Sequence, residues 1–181
     1  MLEIQSNDQI VQALLAKIVA ATQNTEPAMR AIGENLMEVS KQSFEKSASP
    51  AGIPWASNTQ TTILRYLEQL GGSNYNKAGK LSKKGGERVM SKKPLIGISK
   101  DLMRQFSYVA TWDSVTVSNS MVYAAMQQFG GTRSQFPKLW GDIPARPFMP
   151  LDSDGKPDDI AQQIVVETIQ EYINDVINSQ N

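Results

Sequence analysis

Phe106-Ser-Tyr-Val-Ala-Thr-Trp-Asp-Ser-Val-Thr-Val-Ser118 is the stretch on which the fold class turns. Ser114 to Ser118 alternates polar and apolar side chains, the period-two pattern of a half-buried strand. Phe106, Tyr108 and Val109 mark a second β-rich run, and Thr111-Trp-Asp-Ser114 supplies the turn between the two. The reading is an antiparallel hairpin, entered by Asp101 to Gln105 as a short helical turn or a strand. Most of the remaining periodic sequence is helical. The expectation is therefore α+β: a small, mainly antiparallel sheet packed by a long helix of the N-terminal half and by an amphipathic C-terminal helix.

Downstream of the hairpin, Met121 to Phe129 reads as a short helix closed by Gly130-Gly131. Thr132 to Leu151, rich in proline and aromatics, reads as an ordered loop leading to a final strand. Asp152-Ser-Asp-Gly-Lys-Pro157 is a turn with Pro157 at a helix start. In the helix that follows, Ile160, Ile164, Val165, Ile169, Tyr172, Ile173, Val176 and Ile177 form one apolar face. Asp158 and Asp159 fall in its first turn, where the helix dipole favours acids.

Upstream, Asn7 can cap a helix carrying Ile10, Val11, Leu14, Leu15, Ile18 and Val19. The break at Asn24 to Pro27 starts a second helix, whose stripe of Met29, Ile32, Leu36, Met37, Val39 and Phe44 runs to Lys46. Residues 1–24 are thus expected to be a helical arm or packing extension, and residues 25–181 the main domain. Pro50, Gly52 and Pro54 stop the second helix before Trp55. Ser57 or Asn58 can cap a short helix with Ile63, Leu64, Leu67 and Leu70, ended by Gly71-Gly72. Residues 74–94 read as a flexible basic loop: Lys77, Lys80, Lys83, Lys84, Arg88, Lys92 and Lys93 stand against the single acid Glu87.

Composition narrows the chemistry. Lys+Arg and Asp+Glu balance at 18 each, so the chain as a whole carries no bulk attraction for nucleic acid. It has neither cysteine nor histidine. That removes disulfides, thiolate nucleophiles, Ser–His–Asp chemistry and His- or Cys-based zinc sites. No carboxylate pair stands out as an acid/base couple, and Gly85-Gly86 and Gly97 lack the Lys-Ser/Thr context of a phosphate cradle. No catalytic residue, cofactor or metal is expected. Met1-Leu-Glu-Ile4 lacks a signal-peptide pattern and no run is apolar enough to span a bilayer, so no membrane partner is expected.

Other features have competing readings. The basic loop is a solvated, flexible segment, or a DNA contact through Lys83, Lys84, Arg88, Lys92 and Lys93, or a surface for acids such as Asp152, Asp154, Asp158, Asp159, Glu167 and Glu171 of an adjacent copy. Asp152, Asp154 and Asp158 suit a helix entry better than a calcium loop, whose remaining ligand positions are missing. Trp55 and Trp140 lie in proline-rich loops, where each either pins its own loop or docks into a neighbour.

Three stretches, taken in order, resemble the phage virion morphogenesis family of tail-completion, Mu protein G-like proteins. The first is Phe44 with Ser49-Pro-Ala-Gly-Ile-Pro-Trp55 and Thr59 to Thr62. The second is Val115-Thr-Val117 leading to Tyr123-Ala-Ala-Met-Gln-Gln-Phe129-Gly130-Gly131. The third is Ile143-Pro-Ala-Arg146-Pro147-Phe148-Met149. Gln127 replaces a histidine common in the family, and Lys100-Asp-Leu102 replaces its Thr-Gly-Leu. The resemblance, spanning about residues 25 to 177, implies a non-enzymatic virion protein made in the host cytoplasm. It implies a homo-oligomeric ring, sixfold by preference, at the head–tail junction, meeting the tail terminator, tail tube and head connector. Trp55, Tyr123, Phe129, Gly130, Gly131, Arg146, Pro147 and Phe148 are its motif residues. Phe148 is expected to plug an apolar pocket and Arg146 to offer a bidentate fork; the segment suits intradomain locking, its expected primary role, or subunit docking, with Arg146 the candidate for an intersubunit salt bridge. The competing reading is a DNA-binding accessory protein using residues 77–93.

Overall fold

The structure, a computed structural model, describes residues 9–139 and 141–178. Asn7 and Trp140 lie outside them. At the centre is the hairpin, β1 (Phe106–Ala110) antiparallel to β2 (Val115–Asn119), with Tyr108 opposite Val117. Thr111 N–H donates to Ser114 O at 2.8 Å, closing the turn at the position its sequence indicates. The entry segment is helical: α5 (Asp101–Arg104) delivers Leu102 into the core.

The helix α2 (Glu26–Lys46) crosses the inner face of the hairpin at Gly33. A Cβ there would sit 2.7 Å from the Tyr108 ring and 3.0 Å from the Val115 side chain, so glycine permits the close crossing. The buried hydroxyls Ser40 and Ser43 donate back to the carbonyls of Leu36 and Val39, so both are satisfied within the helix that buries them. At the C-terminus Ser47 takes the left-handed conformation (φ 52°) and turns the chain into the proline loop.

The C-terminal helix α7 (Asp159–Asn178) lies on α2, where Asn35 Nδ2 donates to Thr168 Oγ1 at 2.9 Å. The N-terminal helix α1 (Gln9–Gln23) packs along α7. Ile18, Ala21, Ile169, Tyr172 and Val176 enclose with α2 a small apolar cavity of about 90 Å³. The order of layers is hairpin, then α2, then α7 with α1. No described helix is long and apolar enough to cross a membrane.

Three local expectations need correction. The helix α3 (Gln60–Leu70) is capped by Thr59, whose Oγ1 accepts from Thr62 N–H at 3.3 Å, and not by Ser57 or Asn58. Asn58 instead donates to Lys92 O at 3.1 Å. The final strand expected after Thr132 is absent from the described residues; only isolated bridges form, Gly131 with Ile143 and Leu151 with Pro157. Pro137, Pro144, Pro147 and Pro150 lack the N–H donors that a ladder needs.

The third correction concerns residues 74–94, which contain α4 (Lys83–Ser91) and are not a structureless loop. Ser82 Oγ accepts from Gly85 N–H at 3.1 Å and donates to Ser73 O at 2.8 Å, a cap that starts the helix. Before it, Tyr75 bridges Leu81 around an Asn76 turn. Gly85 sits inside the helix because a Cβ would fall 2.1 Å from the Asn74 carbonyl oxygen. Packing, not flexibility, explains that glycine.

Candidate functional site

The three motif stretches meet in one place. Phe44 lies near the end of α2 at the centre of an aromatic cluster, with ring centroids 5.4 Å from Trp55, 6.3 Å from Phe106 and 5.3 Å from Phe148. Phe106 and Phe148 stand edge-to-face at 5.9 Å. Phe44 and Phe148 are 0% and 1% exposed, so this cluster is the heart of the core. The proline loop is folded on itself by Ser49 N–H donating to Ile53 O and Trp55 N–H to Ser47 O. Trp55 Nε1 then donates to Pro147 O at 2.7 Å. Trp55 therefore pins its own domain.

The helix α6 (Ala124–Phe129) holds the third stretch through Gln128, a residue outside the expected site. Gln128 Oε1 accepts from Phe148 N–H at 2.8 Å and Met149 N–H at 3.0 Å, while Nε2 donates to Met149 O at 3.0 Å. One side chain thus does what a neighbouring strand would do for this extended segment. The signal for it is spacing: Gln128 lies four residues after the core-packed Ala124, on the same helical face. Gly130 turns with φ +72°, and a Cβ on it would approach Ala145 N to 2.7 Å. Gly131 and Ile143 exchange both backbone hydrogen bonds, at 2.9 and 2.8 Å.

Arg146 closes the assembly. Its backbone N–H donates to Gln127 O, its Nε to Ala56 O at 2.9 Å and its Nη2 to Ser57 O at 3.1 Å. It is 8% exposed, and burial holds its pKa below the ordinary arginine value. Its fork grips the loop after Trp55 as an intradomain clamp that engages two of the guanidinium's five N–H groups. Pro147 offers its carbonyl to Trp55, and Phe148 fills the aromatic pocket. Tyr123 and Phe129 are different: they remain 41% and 44% exposed beside the node. Burial, then the nearby Asp101 charge, holds the Tyr123 hydroxyl above its ordinary pKa.

Next to the clamp is a cleft of about 350 Å³, lined by Thr59, Thr62, Lys92, Tyr123, Gln127 and Arg146 among others. The basic candidates divide around it. Lys92 Nζ donates to the carbonyls of Lys93 and Ile96 and lies 5.1 Å over the Tyr66 ring. Burial, then repulsion from Arg146, holds its pKa below the usual lysine value. Lys93 Nζ donates to Glu45 O at 2.6 Å, and Arg88 to Gly71 O and the Asn74 side chain. Lys83 and Lys84 are in the first turn of α4, outside the cleft. The acidic candidates are separate: Asp158 caps α7 through Ala161 N–H at 2.9 Å, and Asp152 Oδ1 accepts from Asp154 and Lys156 N–H.

These observations define an α+β domain whose shared motif residues are committed to joining distant loops into one rigid junction. The chain belongs to the phage virion morphogenesis family, whose model matches residues 6–173. That match begins before α1, so the N-terminal helix falls within the family region. No curated protein and no solved structure matches the chain. Membership gives it a structural or assembly role in the virion of a phage.

Proposed function

We propose that this chain is a tail-completion subunit, forming a homo-oligomeric ring of six copies at the neck of a tailed phage. There it finishes the tail and joins it to the filled head, against tail terminator, tail tube and head connector, with no catalysis or cofactor. The observation that carries this reading is the motif node itself: Trp55, Gln128 and Arg146 fasten three loops that lie far apart in sequence. A surface meant to dock repeatedly gains from such preorganisation, because little loop ordering remains to oppose binding. Large apolar side chains stay outside it, among them Val122, Met90, Val109 and Trp112, at 98, 90, 68 and 66% exposed. Such exposure suits contact with neighbours.

The accessory DNA-binding reading has less support. Of its five cations, Arg88, Lys92 and Lys93 hydrogen-bond carbonyl oxygens of the chain itself, leaving Lys83 and Lys84 open. The test is imaging. Particles assembled without the chain are expected to yield filled heads and unjoined tails, and the purified chain to form rings at high concentration. A chain absent from joined virions, and monomeric at every concentration, would exclude the proposal.

A further inference from the structure

Lys92 and Arg146 stand in the wall of one cleft, and among the described residues neither is ion-paired with a carboxylate. Both keep unused donors: an ammonium carries three N–H groups and a guanidinium five, and each has two engaged here. Burial and mutual repulsion disfavour the Lys92 charge in the chain by itself. The acid in the same wall, Asp142, accepts from Arg133 N–H at 2.8 Å. Thr59, Thr62 and Tyr123 add hydroxyls, and Leu95 and Pro144 apolar wall. Two recessed cations in a partly apolar cleft suit a carboxylate on an exposed loop. A DNA duplex is a stiff rod that meets exposed cations, and Arg146 at 8% exposure is out of its reach.

The chain carries such a loop. Residues 152–157 are exposed throughout, with Gly155 at φ +77°. Asp152 commits Oδ1 to the turn itself. The Asp154 carboxylate has no hydrogen-bond or ion-pair partner among the described residues. Asp152, Asp154, Asp158 and Asp159 against Lys156 make this an acidic end in a chain with no net charge.

We propose that the cleft receives the Asp154 carboxylate of a second copy, between Lys92 and Arg146. A turn of one copy entering the cleft of the next, repeated in one sense, is a heterologous contact, the kind that closes into a ring. This inference rests on the ring reading above.

The experiment compares assembly of the full chain by light scattering and negative stain over a dilution and salt series. Asp154→Lys, on an exposed turn, is expected to weaken self-association at least about tenfold. Lys92→Met, which keeps the side-chain stem, is expected to do the same while remaining folded, its melt lowered only by the loss of the bonds to the Lys93 and Ile96 carbonyls. Combining Lys92→Glu with Asp154→Lys is expected to recover at least half of the wild-type assembly. Rings that form equally well with Asp154→Lys would overturn the contact while leaving the ring reading standing. Monomeric wild type at every concentration would remove the ring reading itself. Loss of duplex DNA binding in Lys92→Met, with assembly intact, would also overturn the proposal, assigning the cleft to phosphate.

Discussion

The motif node and the basic segment 74–94 are neighbours built on opposite plans. In the node, bonds span the chain: Trp55 reaches Pro147 across 92 residues, and Arg146 reaches back to Ala56 across 90. In the basic segment most bonds are short-range, Ser82 to Gly85 and Asn76 to Lys80 among them. The node is held by apolar burial and by polar groups matched at a distance; the segment by a cap, an Asn turn and packing on α3. Positive charge and glycine therefore do not make a segment mobile, and a rigid junction need not contain regular strands.

The node should fail catastrophically when its centre is emptied. Phe148→Ala removes a ring 1% exposed from among Phe44, Phe106 and Trp55, and is expected to cost about 3–5 kcal/mol in urea unfolding. Leu81→Ala, at a 47% exposed position in the basic segment, is expected to change stability by less than about 1 kcal/mol. Equal losses at the two positions would erase the contrast. The next largest effect is at Gln128. Replacing it with Leu keeps the size but strands the N–H groups of Phe148 and Met149, at about 2–4 kcal/mol, while the Met149 carbonyl keeps the Leu151 N–H. A loss under about 1 kcal/mol would mean that water satisfies those groups and that the side chain is not their organiser.

How much of this is legible in the sequence follows the same division. The hairpin is legible because Val115 and Val117 alternate with polar neighbours, a local signal. The α2 and α7 helices are legible from their stripes. The helix α4 is hidden because Gly85 and Gly86 look like a loop, and nothing local reports that Gly85 must clear the Asn74 carbonyl. The Thr59 cap lies one or two residues from the expected ones, the ordinary uncertainty of a helix end. Phe148 as a pocket-filler is legible by way of the family resemblance. The fate of Arg146 is not, since a guanidinium can grip carbonyls or carboxylates equally well and its partner lies 90 residues away. Gln128 escapes notice because polar residues in a short helix ordinarily face solvent.

The glycine doublet sharpens the contrast inside the basic segment itself. In a free helix, alanine at either position would stabilise by about 0.5–1 kcal/mol. A Cβ added at Gly86 would meet nothing within 4 Å, so Gly86→Ala is expected to show that gain. Gly85→Ala must push α4 away from Asn74, and a net loss of about 1–3 kcal/mol is expected. Thermal melts of the two variants should shift in opposite directions. Two gains would return the segment to the flexible loop that its composition suggests.

The smallest effect separates stability from contact. Lys83 and Lys84 sit in the first turn of α4, where the helix dipole disfavours cations and favours acids. Reversing both to Glu is therefore expected to stabilise the fold by about 0.3–1 kcal/mol. The sign is opposite to that expected if these lysines supported the fold. Neither lysine forms a salt bridge among the described residues, so a loss of virion assembly in this variant cannot be blamed on a broken ion pair. A double variant that melts no lower than wild type yet fails to assemble would give the basic segment a partner of its own. A variant that assembles normally would leave docking to the surfaces around the node and make the lysines a solubilising fringe on a helix held by Ser82, Asn74 and Gly85.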